Sequence, residues 1–180
     1  TGNASGQMPP DAGHTADFQA FVTAVAQHFQ GRIHHFEFNN EPDGAGSWNN
    51  PSASAYVGFL RTFYTAVKAV DSTAWVSTGG VGNLHPDAGI PFIQGIYTNG
   101  GQPYFDAVAA HPYDGKVNGV YTKNGPIDTD GIVLLRGLMN NPGSQLPSDA
   151  YKPIWLTEYG WDVGTDQTAV SFSQQQAYLQ

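Results

Sequence analysis

Glutamate is scarce in this chain. Of its fifteen acidic residues only Glu37, Glu41 and Glu158 are Glu, so each one calls for a separate explanation. Glu41 and Glu158 lie 158 − 41 = 117 residues apart; Glu41 closes one run that reads as a strand, Ile33 to Glu41, and Glu158 directly follows another, Pro153 to Thr157. Where strands run parallel, the site lies at their carboxyl ends. Two carboxyl groups on one rim suit a reaction that needs an acid together with a base or nucleophile. Cleavage of a glycosidic bond is the leading case: one carboxyl protonates the leaving oxygen while the other attacks the anomeric carbon or activates water. Trp48, Tyr113, Tyr159 and Trp161 also fall just past strand ends. Aromatic rings cover the apolar faces of sugars while their polar edges stay wet, which is what a saccharide cleft asks for. The plainer reading is a pair of solvated strand-end acids and ordinary rim packing.

These residues need elements to carry them. Apolar positions Phe18, Phe21, Val22, Val25, Ala26 and Phe29 have helical spacing, with Thr15 as cap and Gly31 as stop. Ser54 to Val70, Ile90 to Tyr97, Ile132 to Met139 (capped by Asp130) and Thr168 to Leu179 read as further helices. Ala74 to Thr78 and Phe105 to Ala110 read as strands, and residues 1–15 and 114–129 as loops. A helix followed by four strand–helix units implies a parallel sheet with right-handed crossovers. An open doubly wound sheet and part of a (β/α)8 barrel both fit. Four strands are too few for a closed barrel of about 200 residues or more, so the expectation is a single, partial barrel spanning 1–180.

Composition narrows the partners. Seven basic residues against fifteen acidic ones give a net charge of −8, with no basic patch for a phosphate backbone, so nucleic acid is excluded. No apolar run reaches the roughly 18–20 residues of a membrane span. The absence of Cys removes disulfides, thiolate metal sites and a Cys nucleophile. Few Lys and many Asn, Gln, Ser and Thr point to a secreted protein, and Thr1 is not a natural start, which fits a removed leader.

Three motifs carry a family resemblance. Phe36-Glu-Phe-Asn-Asn-Glu-Pro42 resembles the strand-four motif of clan A retaining glycoside hydrolases, Ala109-Ala-His-Pro-Tyr113 their strand six, and Pro153-Ile-Trp-Leu-Thr-Glu-Tyr-Gly-Trp161 their strand seven. Families 39 and 5 are the most similar, and the resemblance covers residues 16–180. It implies an incomplete TIM barrel, about strands 4–7 with helices 3–7. It implies Glu41 as acid/base, protonated at the start, and Glu158 as nucleophile. Asn40 resembles the Asn that binds the substrate 2-hydroxyl, and His111 and Tyr113 resemble cleft residues, one of which bonds Glu158. The implied activity is hydrolysis of a β-linked glycoside or polysaccharide with retention, without cofactor or metal. The chain departs from the pattern at Asn39, where many relatives have Trp. Strands one to three and eight are missing, so barrel segments or a partner chain must close the fold, and isolated residues 1–180 are expected to be a poor monomer.

Other readings of the same residues are weaker. Glu37 reads as a buried structural acid paired with a base from a missing strand. A metal site at His35, Glu37 and His111 is conceivable, though a satisfied interior cluster is simpler. Gly79-Gly80-Val81-Gly82 lacks the ending of a phosphate loop, and no Gly-x-Ser-x-Gly elbow is present. The alternative function is a non-catalytic carbohydrate binder or a decayed glycosidase.

Overall fold

A computed structural model describes residues 12–48, 52–113, 116–117, 120–121, 127–163 and 169–180. The order is α1 (Thr15–Phe29), β1 (His35–Phe38), α2 (Ala53–Val70), β2 (Trp75–Thr78), α3 (Gly89–Thr98), β3 (Val108–Ala110), β4 (Lys116–Val117), β5 (Val120–Tyr121), α4 (Thr129–Asn140), β6 (Ile154–Leu156) and α5 (Phe172–Tyr178). Short 3-10 turns precede α1 at Ala12–His14 and β3 at Gln102–Tyr104.

Four strands run parallel in the order β1-β2-β3-β6. β1 pairs with β2 and β3 with β6, and single bridges at Ser77–Ala107 and Val81–Ala110 join the two pairs. Helices α1 to α4 form one layer, each packed on the next. Phe36 and Phe38 face that layer, where Phe38 stacks on Tyr56 and Phe63 of α2. The core is continuous from there through Leu60, Val81, Ile93, Ile96 and Leu135.

The other face decides between the two candidate architectures. Glu37 and His35 point away from the helices. Glu37 Oε1 lies 3.4 Å from Thr157 Oγ1, and the His35 ring is 5.1 Å from that of Trp155. In a flat sheet β1 and β6 would stand about 14 Å apart, three strand spacings. Side chains of the outer strands that meet over one face require a curled sheet, and a doubly wound fold would place helices there instead. The curl is that of a barrel wall.

Several local expectations need correction. Thr15 is the first residue of α1 rather than its cap, and His14 occupies the cap position without a side-chain bond to the helix's first turn. Gly31 does stop the chain's helical path, at φ 74°. Phe21 is exposed, so the buried stripe of α1 is Val22 and Ala26, with Phe18 beside them. Asp128, not Asp130, caps α4: its buried carboxylate accepts the Gly131 N–H at 2.8 Å. Residues 114–129 include the antiparallel β4–β5 pair and the first residue of α4 rather than loop alone. Strands of two residues are too short to leave a periodic signal. Of the leading 1–15 segment, residues 1–11 lie outside the described residues.

The amino ends of the strands use two of the four Lys. Lys68 pairs with Asp106 at 2.9 Å, and buried Lys152 with buried Asp149 at 3.0 Å. Asp149 also accepts bonds from Tyr97 and Gln102, so the buried charges there are fully engaged.

Candidate active site

The sequence reads β1 as running on to Glu41, but the strand ends at Phe38. Asn39 (φ 63°) and Glu41 (φ 43°) are left-handed. Asn tolerates that region, whereas for Glu it is strained, and strain of this kind collects at functional sites. The turn is fastened where it leaves the sheet, because the Glu41 N–H donates to the Gly80 carbonyl at 3.0 Å. The result aims the Glu41 side chain across the strand ends rather than along β1.

Glycines at the β2 exit make this approach possible. A Cβ on Gly79 would lie 1.8 Å from the Asn39 carbonyl oxygen, and one on Gly80 2.2 Å from His111 Nε2. A Cβ on Gly82 would lie 3.1 Å from Glu41 Oε1. Thus Gly79-Gly80-Val81-Gly82 is the bed on which Glu41 and His111 rest.

Four strand ends converge. His111, one residue past β3, has no exposed surface, and its Nδ1 lies 3.2 Å from Glu41 Oε1. Its Nε2 has no hydrogen-bond partner among the described residues and stands 3.7 Å from Glu158 Oε1. The Tyr113 hydroxyl donates to Glu158 Oε2 at 3.0 Å. Burial, followed by the bond to Glu158, pushes the Tyr113 phenol up to about 12, so it remains a neutral donor at any ordinary pH. Beneath the pair, Glu37 Oε1 accepts from the Gly80 N–H at 2.8 Å and from the Thr157 hydroxyl. Glu37 therefore braces the exits of β1, β2 and β6 through neutral donors.

Glu41, His111 and Glu158 each place one donor atom within 4.8 Å of the other two. Two carboxylates and an imidazole at that spacing are also a set on which a divalent cation could close; His35 is not part of it. Glu41 and Glu158 are partly open, with side chains 36% and 46% exposed. They reach the surface while the imidazole between them does not.

The remaining predicted residues separate. Trp161 and Tyr113 line a cavity of about 1220 Å³ that also opens on Glu41. Tyr159 is exposed, its ring 6.4 Å from that of Trp161, and Asn40 is exposed on the turn. Trp48 is a correction: it is 1% exposed and packs edge-on against Tyr56 and Phe59, so it belongs to the core and not the cleft. Sequence reasoning missed Asp43, which also lines the cavity and accepts the Gly82 N–H at 3.2 Å. Burial raises its carboxyl above the ordinary Asp range. Its place two residues after Glu41 was the available signal. Phe92 and Asp87, also on the cavity wall, carried none.

No family model and no curated protein sequence matches the chain. Solved structures do. A family 39 glycoside hydrolase from the gut symbiont Bacteroides cellulosilyticus WH2 is 22% identical with a TM-score of 0.59, over 96% of this chain and 34% of that one. A glucosidase from Croceicoccus marinus is 15% identical with a TM-score of 0.64, over 97% and 36%. The family 39 enzyme from Xanthomonas axonopodis pv. citri is 18% identical with a TM-score of 0.56, over 81% and 30%. The chain spans about a third of the length of each. At these identities the likeness is one of fold: the chain folds like a part of these enzymes.

Proposed function

We propose that this chain is part of a retaining glycoside hydrolase acting on a β-linked glycoside or polysaccharide. It would supply about strands 4–7 of the barrel, with the remaining strands coming from further segments or a partner chain. The observation that carries the reading is the approach of Glu41 and Glu158, whose oxygens come within 4.8 Å. Retaining enzymes hold their carboxyl groups about 5–5.5 Å apart, whereas inverting ones need about 6.5–9.5 Å to seat a water between them. In this reading Glu158 attacks the anomeric carbon while Glu41 gives its proton to the departing oxygen. Glu41 then takes a proton from the water that releases the sugar. His111 holds Glu41, and Tyr113 holds Glu158 as the attacking anion. The low Lys content is the basis for proposing a secreted enzyme.

The test uses aryl β-glycosides with the full-length protein. Glu158→Gly should lower turnover about a thousandfold or more, and azide should restore it with a glycosyl azide of inverted configuration. Glu41→Gly with azide should give the retained configuration. Binding of polysaccharide without any turnover by the unaltered protein would instead mark a non-catalytic carbohydrate binder.

A further inference from the structure

We propose that the cavity beside Glu41 receives the departing unit of the substrate, a neutral hydroxyl-bearing sugar, and that Asp43 is the residue that selects it. The inference rests on the glycosidase reading and adds to it where the leaving group sits. The cavity wall contains Glu41 but not Glu158. In a double displacement the nucleophile addresses the sugar that stays, and the acid's proton goes to the oxygen of the part that leaves. Space that opens on the acid and not on the nucleophile is therefore space for the leaving part.

The wall has the chemistry of a sugar site. Phe92 and Trp161 put aromatic surface in the wall, and carboxyl groups of Asp43, Asp87 and Asp162 can accept bonds from hydroxyls. Among the described lining residues there is no Lys or Arg, which disfavours an anionic unit. At about 1220 Å³ the cavity has room for a sugar ring, since ligand pockets usually hold about 300–1,000 Å³.

Asp43 is the best-held acceptor in this wall. Buried Pro42 joins it to Glu41, and the Gly82 N–H holds its Oδ1 at 3.2 Å. Its carboxyl therefore keeps a set offset from the acid. A half-buried carboxyl gains from each hydroxyl that donates to it, because burial has already removed part of its water shell.

The experiment compares two substrates with the same retained sugar, an aryl β-glycoside and a β-linked disaccharide, on the full-length protein. Asp43→Asn keeps the shape and an oxygen for Gly82. It should lower kcat/KM on the disaccharide, mainly through KM, about tenfold more than on the aryl glycoside. A uronic acid in the leaving position should be about tenfold poorer for the unaltered protein. A measurement without any variant guards against misfolding: free sugar acceptors should intercept the glycosyl intermediate and give transfer products saturably. Equal losses on both substrates would make Asp43 a structural support of Glu41 and overturn the proposal. So would transfer products that never saturate. Absence of turnover on either substrate by the unaltered protein would overturn the glycosidase reading and this inference with it.

Discussion

At the scale of residues, the arrangement around Glu158 depends on one hydroxyl. Tyr113 donates to Glu158 Oε2 at 3.0 Å, and a hydrogen bond to a charged group contributes about 1.5–3 kcal/mol. Tyr113→Phe is expected to lower kcat/KM on an aryl β-glycoside about ten- to a hundredfold. Tyr113 itself adds no limb to the pH–rate profile below about pH 10, because the phenol is raised to about 12 and stays protonated throughout. The sign for stability follows from the same shift. A raised phenol contributes fully below its unfolded value of about 10. That contribution is lost as pH rises through about 12. Loss of a limb near neutral pH in the variant's profile would show that the phenol titrates there and contradict this account. Glu41 and Glu158 themselves were legible as a pair, because scarcity made each Glu conspicuous. His111 was legible as a cleft residue but not as the buried link between them, since that contact spans 70 residues.

At the scale of elements, the exits of β1 and β2 are joined by a side chain from α2. The hydroxyl of Tyr56 donates to the Phe38 carbonyl at 3.0 Å and accepts the Gly79 N–H at 2.7 Å, both fully buried. Helix α2 thus sets the point at which both strands stop and the left-handed turn to Glu41 begins. Tyr56→Phe keeps the ring packing but leaves a buried donor and acceptor without their partner. It should cost about 1–3 kcal/mol in chemical denaturation, with a larger fractional loss of activity than of folded protein at low denaturant. The helices themselves were readable from apolar spacing, with boundaries shifted by a few residues. Asp130 was mistaken for the cap of α4 because Asp128 and Asp130 look alike in sequence; only the bond to Gly131 separates them.

At the scale of the whole molecule, among the described residues the sheet has two outer strands, β1 and β6, and an inner face without a helix layer. Trp75 and Leu156 are 42% and 38% exposed, and unpaired strand edges are templates for association. Residues 1–180 expressed alone are expected to associate in a concentration-dependent way, as read by sedimentation velocity. A single monomeric boundary with a sharp two-state melt would contradict that expectation. The open edges and the curl belong together: a wall curled toward a barrel but only four strands wide cannot close on itself.

Sequence alone determined the order of the helices and of the four parallel strands, the strand-end placement of Glu41 and Glu158, and the net charge of −8. These follow from apolar spacing within ten or twenty residues and from composition, both local properties of the chain. Tertiary structure decided what local patterns do not encode. It put Trp48 in the core, gave the glycines after β2 their role as a bed for Glu41 and His111, and set Asp43 on the cavity wall. It also settled curl over flatness, through a contact between Glu37 and Thr157, 120 residues apart. Each of these depends on which distant backbone comes to lie against a given side chain, and that is fixed only when helices and strands pack.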